Sequence, residues 1–98
     1  MEIVYFYDAP AQKEMDKLLD DDFFKRIGPT VRDCKSMGFE RDGYYIYIKA
    51  RDDLVEDARE LLSGSPADPL TGDEADLVVQ AFRDEAESAE AGMGTLFG

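Results

Sequence analysis

Two short runs of residues, EIVYFY at 2–7 and GYYIYIKA at 43–50, each contain five consecutive residues that are β-branched or aromatic. Successive side chains of a strand point to opposite faces of its sheet, so each run offers apolar groups on both faces. We therefore predict two strands that are covered on both sides. A chain of 98 residues is too short for two separate cores, and both strands are assigned to one domain.

A helix is predicted directly after the first strand. Asp8 is a suitable N-cap, and Pro10 is tolerated in the first helical turn. Apolar residues then recur at helical spacing as far as Ile27. The pair Gly28-Pro29 is expected to end this helix or to kink it sharply.

The segment at residues 30–40 is ambiguous, because its apolar spacing fits a helical face while its composition also suits a strand. Arg41-Asp42-Gly43 has the composition of a turn before the second strand. A hairpin that pairs Phe39-Glu40 with the second strand is one interpretation of this region.

Two further helices are predicted in the second half of the chain. Asp53 and Glu56 form a capping pattern for the first of them, and Thr71 and Glu74 form one for the second. The segment GSPADPLTG between them has the composition of a loop. The inward faces are expected to carry Leu54, Ala58, Leu61 and Leu62 in the first helix and Ala75, Val78, Val79, Phe82 and Ala86 in the second.

These elements predict a single α+β domain at residues 1–91, followed by a C-terminal tail at residues 92–98. The domain is expected to have a small sheet of two to four strands and three or more helices. Two strands alone are marginally stable, so a third strand from the hairpin or from a partner chain is expected. A ferredoxin-like variant, in which the final helix replaces or precedes a last strand, is the nearest common architecture. This fold hosts many functions and assigns no chemistry.

The charge balance argues against one class of partner. The chain carries 23 acidic and 11 basic residues, which gives a formal net charge of −12. Nucleic-acid binding depends on a basic surface, so direct binding of DNA or RNA is not expected. The excess of carboxylates, many of them Asp, resembles proteins of salt-accumulating, halophilic archaea, in which salt screens the self-repulsion.

The residues available for chemistry are few. The chain has no histidine, which is the commonest general base, and Cys34 is its one cysteine. Neither a disulfide framework nor a Cys/His zinc cluster can form within one chain, and we predict that Cys34 is a buried structural thiol. We therefore expect no catalytic residues and no cofactor. The first apolar run lacks a basic leader and breaks at Asp8, so a cytoplasmic protein without a membrane span is expected.

A run of three carboxylates is a candidate cation site. Asp20, Asp21 and Asp22 have the oxygen ligands that calcium and magnesium prefer. The spacing is not that of an EF-hand loop, which alternates its ligands around a glycine. A solvated helix face or a kink is the alternative interpretation.

Aromatic residues on the second strand are a candidate homodimer interface. Tyr44, Tyr45 and Tyr47 place rings on both faces of that strand. Core tyrosines whose hydroxyls reach the surface are the alternative. Base stacking, which aromatic sheets also support, is opposed by the net charge.

The C-terminal segment carries the most specific motif. Residues 84–98 read DEAESAEAGMGTLFG, an acidic stretch that leads into a short apolar end. This segment resembles the tail of archaeal ribosomal stalk proteins, which end in an acidic run and a Gly-Leu-Gly-Ala-Leu-Phe-Gly-like heptad. Met93 and Thr95 stand in place of the Leu and the Ala, while the three glycines, Leu96 and Phe97 are unchanged. The body of the chain does not resemble the helical dimerisation domain of that family.

The resemblance implies a binding role for the tail. In stalk proteins the tail folds as a short amphipathic helix that docks into a groove of translational GTPases, which makes Met93, Leu96 and Phe97 the expected contact residues. The sequence thus predicts a non-enzymatic interaction protein associated with translation. The alternatives are a small regulatory domain that binds a ligand or a divalent cation, and a carboxylate-dependent enzyme. Packing of the same side chains onto the domain is the competing interpretation of the tail.

Overall fold

Four antiparallel strands form the centre of the computed structural model, which describes the backbone of residues 1–97 and the side chains of residues 1–88. The strands are β1 (Glu2–Asp8), β2 (Thr30–Asp33), β3 (Gly43–Lys49) and β4 (Asp68–Pro69). The helices are α1 (Gln12–Leu19), α2 (Asp22–Ile27), α3 (Asp52–Ser63) and α4 (Gly72–Phe97). Short 3-10 turns cover Ala9–Ala11 and Lys35–Met37.

The strands lie in the order β2-β3-β1-β4, so the chain is an α+β protein with split βαβ topology, as expected. β3 lies between β1 and β2, and β1 lies between β3 and β4. The prediction that the final helix replaces or precedes a last strand is wrong, however. The last strand is shortened to two residues, and the final helix follows it rather than replacing or preceding it.

The two strands predicted from composition are confirmed. β1 and β3 pair along their whole length, from Glu2 opposite Lys49 to Asp8 opposite Gly43. Gly43 is required at the start of β3, because its φ is +156° and an added Cβ would lie 2.4 Å from the carbonyl oxygen of Tyr7.

The first core lies between the sheet and helices α1, α2 and α3. Side chains of β1 and β3 that point to this face pack against Met15, Phe24 and the inner face of α3. The buried residues of the first core are Ile3, Tyr5, Tyr7, Met15, Phe24, Ile46, Ile48, Val55, Ala58, Leu62 and Ala67.

The second core lies on the opposite face of the sheet, under helix α4. Val78 and Phe82 are buried there, in agreement with the inward face predicted for this helix, and Ala75 and Val79 pack beside them. The buried residues of the second core are Val4, Cys34, Tyr45, Val78 and Phe82. No helix in the described part of the chain combines the length and the apolar character that crossing a membrane requires.

The long helix predicted between Asp8 and Ile27 is divided into two. A 3-10 turn over Ala9–Ala11 precedes α1, and the chain breaks between α1 and α2. Asp21 is the N-cap of α2 and favours a new helix at this point, because its carboxylate accepts a hydrogen bond of 3.1 Å from the backbone N–H of Phe23. Continuous apolar spacing therefore concealed a break that capping chemistry imposes.

The hairpin partner of β3 also differs from the sequence interpretation. β2 (Thr30–Asp33), rather than Phe39-Glu40, pairs with β3, from Thr30 opposite Tyr47 to Asp33 opposite Tyr44. The strand alternative for the ambiguous segment is thus correct for its first four residues. Gly38, with a φ of +92°, ends the 3-10 turn that lies between the two strands.

The start of α3 lies earlier than predicted. Arg51 is the N-cap residue and makes no side-chain capping bond, so the proposed cap at Asp53 is wrong. Asp53 lies in the first turn, where a carboxylate interacts favourably with the helix dipole. Val55 is buried in place of Leu61, which is 43% exposed.

Candidate functional site

Helix α4 is held on the sheet by ion pairs that surround the second core. Nε of Arg32 lies 2.6 Å from Oε1 of Glu85, and Nη1 of Arg41 lies 2.5 Å from Oε1 of Glu74. The Arg41 guanidinium also lies 3.7 Å from the centroid of the Phe6 ring, which is cation–π distance. These contacts join residues that are far apart in sequence, and they fix the position of α4 between Glu74 and Glu85.

Glu2 is the centre of a third polar contact between α4 and the sheet. Arg83 binds its carboxylate with two nitrogens, and Nε of Arg83 lies 2.9 Å from Oε2 of Glu2. The Tyr47 hydroxyl donates to the same carboxylate. The hydrogen bonds from Arg83 and Tyr47 lower the pKa of Glu2 from 4.5 to about 2. Burial and the contact with Glu2 raise the pKa of Tyr47 to about 12.

We expect the stability contributed by Glu2 to disappear in acid. Because its pKa is lower in the folded state than in the unfolded state, the contribution is complete above about pH 4.5 and is lost as the pH falls towards 2. Arg83 is half exposed, so we expect about 1 to 2 kcal/mol rather than the full value of the shift. Urea unfolding of the wild type and of Glu2→Gln measures this difference at each pH.

At pH 7 the Glu2→Gln variant should be the less stable protein, and the difference in stability should narrow as the pH falls from about 4.5 towards 2. Other carboxylates titrate in both proteins and cancel in the difference. A gap between the two proteins that stays constant from pH 7 to pH 2.5 would contradict the assignment of the ion pair.

The three tyrosines proposed for a homodimer interface already pack within the chain. Tyr45 is 1% exposed and belongs to the second core. Tyr47 stacks on Phe82 with ring centroids 5.0 Å apart, and Tyr44 stacks on Tyr7 at 5.3 Å. One chain therefore covers both faces of this strand, and homodimer formation through these rings stays a prediction.

The carboxylates proposed as a cation site take part in local contacts. Asp20 lies 3.2 Å from Nζ of Lys25, and Asp21 caps α2 as described. Among the residues with described side chains, no three acidic or thiol groups lie close enough together to hold a metal ion. Cation binding by Asp20, Asp21 and Asp22 stays untested, and the break between α1 and α2 is the role that their geometry supports.

Cys34 is a buried free thiol, as predicted. It is fully buried in the second core, and its burial raises the pKa of the thiol. A raised pKa lowers the fraction of reactive thiolate, so the geometry supports a packing role. Met93, Leu96 and Phe97, the residues expected to contact a partner, lie outside the residues whose side chains are described.

A groove between α2 and α3, hereafter the α2–α3 groove, was not foreseen from the sequence. Its floor is apolar and half-buried, its rim carries two exposed arginines, and its volume is about 370 Å³. The residues that line it are Phe23, Arg26, Ile27, Ala50, Arg51 and Leu54.

The charge of the α2–α3 groove is unlike that of the rest of the chain. Arg26 and Arg51 lie beside one apolar surface in a protein whose net charge is −12. Arg51 is 3.4 Å from Asp53 of the same helix, and both side chains are exposed, so this pair neutralises the rim weakly. Such a groove suits an apolar group that carries negative charge nearby.

The signal for this groove was present in the sequence but could not be interpreted there. Phe23 and Ile27 fit the inward face of a predicted helix, and Leu54 fits the inward face of another. All three are only half-buried, because Phe24 and Val55 occupy the core positions. Helical spacing does not show which of two adjacent apolar residues faces the core.

Comparison with known proteins gives no relative for this arrangement. No protein-family model, no curated protein and no solved structure matches the chain at a significant level. The resemblance of residues 84–98 to the tail of stalk proteins stays a prediction.

Proposed function

We propose that this chain is a non-enzymatic interaction protein in the cytoplasm of a salt-adapted archaeon, and that its tail binds a protein partner. The observation that carries the proposal is the closure of both cores by side chains between Ile3 and Phe82. Every buried polar side-chain atom in the described residues has a hydrogen-bond partner. The described residues thus form two packed cores, and the proposal assigns no core position to the side chains of the tail, residues 92–98.

The position of α4 supports the same proposal. Val78 and Phe82 hold this helix on the sheet, and Arg83 and Glu85 make the last polar contacts described along it. The acidic run and the tail follow these contacts directly in the sequence. A binding segment at the end of a helix that is fixed on the sheet is presented to a partner from a defined point on the body.

The chemistry of the partner follows from the spacing of the tail residues. Met93, Leu96 and Phe97 are at positions i, i+3 and i+4, the pattern of helical peptides that insert into an apolar groove. The acidic residues before them favour a groove with basic side chains at its rim. A translational GTPase is the partner that the stalk-like motif implies, and we propose a protein of that class as the partner of the tail.

The test is the double substitution Leu96→Ser with Phe97→Ser. We expect the free energy of unfolding to change by no more than about 0.5 kcal/mol, because the proposal leaves these side chains exposed and exposed side chains contribute little to stability. Capture of elongation or initiation GTPases from a salt-adapted archaeal lysate should be lost, and binding of the purified factor should be lost in calorimetry.

Leu77→Ser is the matched control, because Leu77 is 64% exposed on the outer surface of α4 and outside the tail. This variant should capture the same GTPases as the wild type. A stability loss of about 2 to 5 kcal/mol per residue in the tail variant would place Leu96 and Phe97 in a core, against the proposal. Capture that is unaffected by the tail substitutions would equally contradict it.

A further inference from the structure

We infer that the α2–α3 groove is a receptor for the tail of a second copy of this chain. The inference rests on the proposed function in one respect, since both assign binding to Met93, Leu96 and Phe97. It adds a receptor surface on the body of the protein and names the occupant of that surface.

The floor of the groove fits an apolar helical face. Phe23, Ile27 and Leu54 offer half-buried side chains from two neighbouring helices, so an incoming side chain would contact apolar groups on both sides. The volume of about 370 Å³ lies in the range of sites that bury apolar ligand groups, about 300 to 1,000 Å³. It therefore offers room for large side chains such as Leu96 and Phe97.

The charges of the groove and the tail are complementary. Glu90, Met93 and Phe97 are at positions i, i+3 and i+7, which places a carboxylate on the apolar face of a helical peptide. The groove has the matching pattern of an apolar floor beside the guanidinium groups of Arg26 and Arg51. Because the chain as a whole has a net charge of −12, these two arginines favour this part of the body for an acidic peptide.

A second copy, rather than the same chain, is the source of the tail. Helix α4 packs on the face of the sheet that holds the second core. Phe23, Ile27 and Ala50 of the groove pack against the first core, on the opposite face. The backbone of residues 92–97 belongs to α4, so the tail would have to leave this helix and pass around the sheet to reach its own groove, whereas the tail of another copy approaches from solvent.

The test uses a labelled peptide of residues 84–98 and, as receptor, the full chain with Leu96→Ser and Phe97→Ser, so that its own tail does not compete. Fluorescence anisotropy is measured at the lowest KCl concentration at which the receptor is folded, because concentrated salt would screen the attraction between the arginines and the peptide as well as the overall repulsion. We expect saturable binding that Arg51→Glu in the receptor weakens by about 10-fold or more.

Arg51→Glu is suited to this test because Arg51 is the N-cap of α3, where a negative charge is compatible with the helix dipole and folding should persist. Lys13→Glu is the matched control. It makes the same charge reversal in the first turn of α1, far from the groove in sequence, and should change the affinity by less than about twofold. Leu54→Ala in the receptor should also weaken the binding of the peptide, because this substitution removes part of the apolar floor of the groove.

Failure of this inference can be told apart from failure of the proposed function. Absence of peptide binding, or equal affinities for the Arg51→Glu and Lys13→Glu receptors, overturns the inference. Capture of translational GTPases by the Arg51→Glu protein with its natural tail should remain at the wild-type level. Loss of that capture in the Arg51→Glu protein would show that the groove serves the GTPase rather than a second copy, and would also overturn the inference.

Discussion

Replacement of Phe82 by alanine is expected to lower the free energy of unfolding by about 3 to 5 kcal/mol. Phe82 is 4% exposed at the centre of the second core, and its ring stacks on Tyr47 at an interplanar angle of 11°. The substitution removes both the burial and the stacking, and α4 has few other fully buried side chains in its described part. Total stabilities of small domains are about 5 to 15 kcal/mol, so the loss is large. Urea unfolding in concentrated KCl measures it.

Leu77→Ala is the control for this experiment. Leu77 lies on the same helix and is 64% exposed, so its truncation should change the stability by no more than about 0.5 kcal/mol. Similar small effects at both positions would mean that α4 does not form the second core. The Phe82→Ala protein should also lose tyrosine near-UV circular dichroism, since Tyr47 loses the ring against which it stacks.

The second large effect concerns salt, where two electrostatic contributions have opposite signs. A net charge of −12 on a body with a radius of gyration of 14.0 Å is strongly self-repulsive at low salt. Raising the salt from 0.1 M to 1 M should stabilise the folded state by on the order of 3 kcal/mol through screening. The same salt weakens the ion pairs around α4, but exposed pairs contribute at most about 1 kcal/mol each. We therefore expect the melting temperature to rise.

A variant with fewer charges separates screening from other effects of salt. Asp57, Glu60 and Asp76 are exposed carboxylates, and their replacement by the corresponding amides removes three negative charges. This variant should be more stable than the wild type at 0.1 M KCl and should gain less from added salt. A melting temperature that is flat or falls between 0.1 M and 1 M in the wild type would contradict the salt-adaptation argument.

The parts of the fold that could be predicted from the sequence are those that local composition determines. β1 and β3 are confirmed because their residues are apolar on both faces. The inner face of α4 is confirmed at Val78 and Phe82, which repeat at helical spacing, but Ala86, predicted on the same face, is exposed. The α+β class follows from these elements. No tertiary information was needed for any of them.

The parts that were missed depend on contacts between distant residues. β4 has two residues in a proline-containing loop, and the hydrogen bond from Leu70 N–H to the Val4 carbonyl follows it. No local pattern in the loop indicates this pairing. The α2–α3 groove likewise forms only because α2 and the start of α3, which are distant in sequence, lie side by side. The ion pair between Glu2 and Arg83 could not be predicted from the sequence, because only the order of the strands and the packing of α4 bring these two residues together.

The placement of β1 has a consequence for how the chain folds. Its partners come from the middle and the far end of the sequence, and the Glu2–Arg83 contact joins residues that are 81 positions apart. Folding is slow when such distant pairings dominate, because a long loop must close before they form. During synthesis β1 leaves the ribosome early. The face of β1 that carries Val4 and Phe6 remains uncovered until α4 has emerged. The nascent chain is therefore most prone to aggregation until Phe82 has left the ribosome and can pack on β1.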